Sequence, residues 1–489
     1  MGFSMREQGQ KPMERILDFL RNIVKHIFRP ETSRLSRGLG AAWLAGLYLL
    51  GAAVWGFFLN WGRIGFDLHD WTQEGPRYAF IRQALLEGRL PLHIGSSLAS
   101  TDRFLAIPDT VISPQVLLLK FVEPGMFVLL NTLILFTFGF LGLMLIRRKF
   151  SWSPLTFTVV YILFILNGHP MAHVAVGHSM WIAYFLLPYF VYLVFELIEG
   201  NTSWIWVTQT AFLQLILYLQ GGFHFVTWSM MFLIILGITN LRFFLPALKA
   251  LIFSMLLSMF RILPAALQFG DEPRRFISGY FSVSDLVQAF VALRAPEQAL
   301  SGMYSAFGWW EADIYTGLLG FVFLIFFGVY LTWRDHETKA RPYRSLMPAI
   351  LVMAILSLGK VFQPVTLLPL PLMAAERVSS RFMVIPFVIL LVVAGTSMER
   401  YVRLMQWNLG KQLAALLGVG VIAHDLLQHA RLWRVSNMSQ LFDVTPVDIR
   451  AEVLLRNDPS YIAALLGGLG VGVLTLIFLG IMIRRERAQ

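Results

Sequence analysis

Apolar residues in this chain come in long runs, separated by short basic segments or by longer polar ones. The runs lie at about 40–61, 124–147, 153–167, 179–198, 205–220, 224–240, 243–263, 312–333, 346–361, 381–398, 411–427 and 459–483. Most approach the ~20 residues that cross a hydrocarbon core about 30 Å thick. The pattern predicts an all-α, polytopic integral membrane protein with about 12 transmembrane helices. Ahead of the first run, Ile16, Leu17, Leu20, Ile23, Val24, Ile27 and Phe28 share one helical stripe. Arg15, Arg21, Lys25 and Arg29 lie off it. Such a helix rests on an anionic leaflet or packs on the protein's own cytoplasmic loops. Residues 1–38 therefore read as a cytoplasmic amphipathic segment, and 39–489 as a single multi-span domain. The long charged stretch before the first run does not have the form of a cleavable signal peptide.

Charge orients the spans. Arg147, Arg148 and Lys149 follow the second, and Arg334, Lys339, Arg341 and Arg344 the eighth. Arg400, Arg403 and Lys411 follow the tenth, and Arg484, Arg485 and Arg487 the last. With both termini cytoplasmic, all four clusters fall inside. The long polar loops, about 62–112, 264–310 and 428–458, then all fall outside. Substantial loops on one face place the function there.

Composition agrees. The chain is 57% hydrophobic and 14% charged, with mean hydropathy +0.64, whereas soluble domains carry about 25% charged residues. A net charge of +11 would suit a nucleic-acid partner, but the basic residues sit in short inter-span segments, and that partner is excluded. The absence of cysteine removes disulfides, thiol nucleophiles and thiolate metal sites.

The first outer loop begins FDLHDWTQEGPRYAFIRQALLEGRLPLHIG. It places Asp67, His69, Asp70 and Glu74 just past the first span, followed by an interfacial helix opened by Pro76. A carboxylate at the mouth of a helix bundle is well placed as a general base.

This order of features resembles the GT-C superfamily of membrane glycosyltransferases. Asp70 upstream of Glu74-Gly-Pro-Arg-Tyr-Ala is similar to the pattern of aminoarabinose and mannosyl transferases. NGHPMAHVAVGHSMWIAYFLLP (167–188), WWEADIYTGLLG (309–320) and AERVSSRFMVIP (375–386) resemble segments of bacterial members of unassigned specificity. The resemblance implies a GT-C-like fold in a bacterial or archaeal plasma membrane. It also implies transfer of a sugar from a polyprenyl-phosphate carrier to an acceptor hydroxyl on the extracytoplasmic face, the acceptor being lipid-linked or a glycan. The superfamily's pair of adjacent acids is missing after the first span, so three carboxylates compete for the base: Asp70 first, then Asp67, then Glu74.

Direct displacement also requires cations on the leaving phosphate. Candidates are Arg377, which precedes the tenth span and ranks first, then Arg381, Arg261, Arg77 and His178. Glu311, Asp313 and His69 read as acceptor-binding or supporting groups. No cofactor is required, but a divalent metal is compatible with His169, His173 and His178. On a continuous helix His178 faces away from the other two, and His169 and His178 are separated by about 13 Å of rise. A lipid or solute transporter, or a non-catalytic scaffold of the same fold, are the competing readings. A transporter calls for charged or broken helices deep in the membrane.

Overall fold

The structure is a computed structural model. It describes residues 34–270, 276–296, 308–334, 341–367, 376–441 and 448–488. The amphipathic helix expected within 14–29 lies outside the described residues.

The first half of the chain is α1 (Arg34–Phe58), α2 (Trp71–Glu87), α3 (Pro124–Phe150), α4 (Pro154–Ile165), α5 (Gly168–Ala175), α6 (Leu187–Ile198), α7 (Trp204–Leu219), α8 (Phe223–Thr239) and α9 (Phe244–Leu257). Then come α10 (Met259–Phe269), α11 (Val283–Val291), α12 (Gly317–Phe323), α13 (Met347–Leu356), α14 (Val384–Leu404), α15 (Leu409–Leu432) and α16 (Pro459–Ala488). Local chemistry sets many of these boundaries. Pro124 and Pro154 open α3 and α4, where a missing N–H costs nothing. Ser153 and Ser203 cap α4 and α7 through the backbone N–H of Thr156 and Trp206. Arg147, Arg148 and Lys149 fill the last turn of α3, opposite in sign to its dipole.

Every predicted run is helical, but not every one is a full span. Among the described residues, eight helices are long and apolar enough to cross a membrane, or nine if one bent pair counts as a single span. That pair, Leu241–Leu257 and Met259–Phe269, bends by 75° at the seventh predicted span. Three further predicted spans are the shorter apolar helices α7, α8 and α13. The third span is also broken, because α4 ends at Ile165 and Asn167 caps a new short helix, α5. The third long loop starts later than expected, since α15 continues to Leu432.

The chain is a helical integral membrane protein, and burial sorts its helices. The α4–α5 stretch is wholly buried, and Ser179–Ile198 and Ser379–Leu404 nearly so. The α15 and α16 helices are mostly exposed, with Leu417 and Leu474 uncovered, as suits helices whose outer face meets lipid. The long polar loop after α1 is tied down at several points. Strand β1 (Ile94–Gly95) pairs antiparallel with β2 (Glu452–Val453). Arg103 forks onto Asp458 at 2.7 and 3.1 Å. Arg261 on α10 donates to the carbonyls of Leu105, Ile107, Pro108 and Thr110.

Candidate active site

The site is assembled where the start of α2 meets the turn after α5. The segment entering α2 is strained, with Phe66 (φ 52°) and His69 (φ 41°) in the left-handed region. Asp70 holds the N-cap position of α2, yet its carboxylate does not cap the helix. It accepts instead from His178 Nε2 at 3.0 Å. The backbone fixes this alignment, because Asp70 N–H donates to the carbonyl of Val176 at 3.1 Å. Trp71 Nε1 donates to Ala175. Gly177 makes the approach possible. Its φ is +103°, and a Cβ there would stand 2.1 Å from Trp71 N.

The same turn corrects the expectation for the histidines. The helix stops at Ala175 and the chain reverses at Gly177, so His178 returns over His173 rather than facing away. Their Nδ1 atoms lie 2.7 Å apart. His169 is drawn elsewhere, its Nε2 accepting from Trp181 Nε1 at 3.0 Å. Trp181 stacks on His173 with ring centroids 4.3 Å apart and carries the Arg381 guanidinium 4.9 Å above its own centroid.

Arg381 forks onto both oxygens of Glu311 at 2.6 Å through Nε and Nη2. Ser380 Oγ donates to the Glu311 carbonyl. Asp70 and Arg381 stand close enough for each charge to act on the other. Burial works against the Asp70 charge, but the His178 charge and hydrogen bond, then Arg77 and Arg381, hold its carboxyl down to about 2. Asp70 is therefore an ionised carboxylate with nearly half of its side chain exposed.

A buried network stands behind Asp70. Ser179 Oγ donates to Glu74 at 2.5 Å, Tyr78 shares a hydrogen bond with Ser179, and Arg77 bridges Glu74 at 2.5 Å and Asp109 at 3.3 Å. Burial opposes the Arg77 charge, and the Asp109 and Glu74 carboxylates override it and push the pKa up. Glu74 and Arg77 thus neutralise one another and brace the turn at Ser179.

The other predicted residues divide in the same way. Arg261 donates through Nη1 and Nη2 to carbonyls of the long loop after α1, as a strut. Arg377 has an exposed side chain, while its carbonyl receives the N–H groups of Ile277 and Ser278. Asp313 accepts from His429 Nε2 at 2.9 Å and from the backbone N–H of Tyr315, a buried tie beside the start of α5. His69 places its ring 4.8 Å from that of Trp310. Asp67 is half-buried at the strained entry to α2.

Besides Trp181, three neighbours of the cluster escaped the sequence reading. Glu376, buried, accepts from Trp228 Nε1 at 2.9 Å and pairs with His224 Nδ1 at 2.9 Å. The His224 ring lies 5.4 Å from that of Trp181, which joins this pair to the Asp70 cluster. Asp109 is the third. A signal for Glu376 was present, since it falls within the AERVSSRFMVIP segment.

Comparison with known protein families finds no match, and comparison with curated proteins finds none either. Among solved structures, the fold is similar to a single-particle cryo-EM structure of the arabinofuranosyltransferase AftD from Mycobacteria. The TM-score is 0.47 at 14% identity, covering 81% of this chain and 27% of that one. A structure of a mutant of the same protein aligns with TM-score 0.46 and 14% identity, covering 81% and 28%. This chain spans about a quarter of the length of that protein.

Proposed function

We propose that the protein is a GT-C-like membrane glycosyltransferase acting on the extracytoplasmic face, with a polyprenyl-phosphate sugar as donor and a lipid-linked or glycan hydroxyl as acceptor. One observation carries the reading: an ionised, partly exposed Asp70 shares a cluster with the largely covered Arg381 cation and the Trp181 ring. A base and a cation so juxtaposed are what displacement at an anomeric carbon needs.

In this account the acceptor oxygen attacks the anomeric carbon and its proton passes to Asp70 Oδ1 or Oδ2. The bond from that carbon to the phosphate oxygen breaks, and polyprenyl phosphate leaves with the electron pair. Arg381 meets the growing charge. Its Nε and Nη2 are held by Glu311, so Nη1 is the donor aimed at a phosphate oxygen. Trp181 supplies the flat face on which a sugar or its phosphate linkage rests. His178 holds the Asp70 carboxylate in place through its 3.0 Å contact.

The test is turnover by purified protein in detergent, offered a panel of polyprenyl-phosphate sugars with and without lipid-linked acceptors. The reading expects release of polyprenyl phosphate coupled to product formation. A transporter reading draws on the 75° bend between α9 and α10. It expects binding without bond cleavage, and movement of the donor across proteoliposome membranes.

A further inference from the structure

We propose that His173, His178 and Glu311 form a site for one divalent transition-metal ion of the zinc class beside Asp70. Each of these three buried residues offers one ligand atom, and the three atoms lie within 4.8 Å of one another. The set differs from the histidine trio expected from sequence. His169 is spent on Trp181, and Glu311, about 130 residues further along the chain, takes its place.

The geometry is close to that of a ligand set without its ion. Two nitrogens bound to one tetrahedral zinc at about 2.0–2.1 Å stand about 3.3 Å apart. The Nδ1 atoms of His173 and His178 are 2.7 Å apart, so the rings need to part by only about 0.6 Å. The other nitrogen of His178 already has the partner such a ligand requires. In the neutral form that metal binding requires, its Nε2–H donates to Asp70 and leaves the Nδ1 lone pair facing His173, in the carboxylate–histidine–metal arrangement. His173 is wholly buried with its Nδ1 facing His178, and among the described residues its Nε2 has no hydrogen-bond partner.

The donor set selects the metal. Two imidazoles and one carboxylate favour zinc and its first-row neighbours over calcium or magnesium, which take oxygen shells. Three protein ligands leave a fourth position open, as in catalytic sites. Asp70 and Glu311 together offset the two charges of the ion, while Arg381 keeps one Glu311 oxygen. The ion takes the other oxygen, which loosens the Arg381 fork and frees a second guanidinium donor. That last consequence rests on the glycosyltransferase reading, whereas the binding of the ion does not.

The experiment uses the full chain, tag removed, stripped with chelator in detergent and then loaded with zinc or cobalt. Bound metal is counted by elemental mass spectrometry after gel filtration, and the cobalt form is examined for tetrahedral absorption bands. The proposal expects about one ion per chain. It also expects a 10–100-fold weaker affinity in Asp70→Asn, which keeps all three ligands, and a larger loss in Glu311→Gln. Substoichiometric zinc in folded wild type overturns it, as does equal affinity in wild type and Glu311→Gln. Failure of the chain to bind zinc while it still turns over donor would remove the site and leave the activity standing. Stoichiometric metal without turnover of any donor would do the reverse.

Discussion

Replacing Gly177 with alanine tests whether the turn after α5 is what brings Asp70 to its partners. Gly177 has φ +103°, where an L side chain costs about 1–2 kcal/mol. The added Cβ would stand 2.1 Å from Trp71 N and 2.6 Å from the Asp70 carbonyl carbon, both backbone atoms with no rotamer to yield. Overpacking of this kind adds about 1–3 kcal/mol. Relief requires Trp71 N to withdraw by about 1.3 Å to reach ordinary contact at 3.4 Å. A movement that large breaks the hydrogen bond from Asp70 N–H to Val176 and the 3.0 Å contact between Asp70 and His178. Misplacement of about 1 Å costs on the order of 100-fold in rate. Gly177→Ala is thus expected to insert and purify, to unfold at lower temperature, and to turn over donor about 100-fold more slowly. Gly420→Ala, on α15 with nothing within 4 Å of its added methyl, serves as the control and is expected to leave both readings unchanged. Wild-type turnover and melting temperature in Gly177→Ala would refute the reasoning.

Three further outcomes follow from the same geometry. Arg261→Met removes the strut under the first long loop and takes a donor from the carbonyls of Leu105, Pro108 and Thr110, so a loss of about 2–4 kcal/mol is expected, measured as thermal stability in detergent. A raised KM for donor with unchanged stability would instead make Arg261 a phosphate ligand. Arg381→Lys keeps the charge but loses the fork on Glu311, and kcat is expected to fall about 100-fold, which steady-state kinetics on wild type and variant would read. Arg377→Ala alters an exposed side chain, so its kinetics and melting temperature are expected to stay within about twofold and about 0.5 kcal/mol of wild type.

Much of the fold was legible because hydrophobic runs, helix-opening prolines and basic clusters are local signals. All twelve runs are helical. Their lengths were less legible, because a run such as 153–167 does not announce that Asn167 will start a new helix at Gly168. The candidate site was legible as a set of residue types and not as a set of contacts. Asp70 and His178 were both singled out, yet their pairing depends on a chain reversal at Gly177 that helical spacing treats as absent. At the mouth of the tenth span the sequence ranked Arg377 ahead of Arg381. Only the 3-10 turn at Ser379–Met383 and the position of Glu311, 70 residues upstream, decide that Arg381 is the one held inside. Glu376 and His224 are 152 positions apart, and no short-range pattern reports that separation. Arg261 was read as a cation for phosphate because its partners are neutral carbonyls about 150 residues earlier, invisible to any charge count.

The most direct test of the central claim compares wild type with Asp70→Asn on whichever polyprenyl-phosphate sugar supports turnover, measuring donor affinity and product formation in the same preparation. The asparagine keeps the shape at position 70 and removes its basicity. The account predicts donor binding within a few fold of wild type and a kcat lower by about 100- to 10,000-fold. Turnover that survives Asp70→Asn unchanged would contradict it.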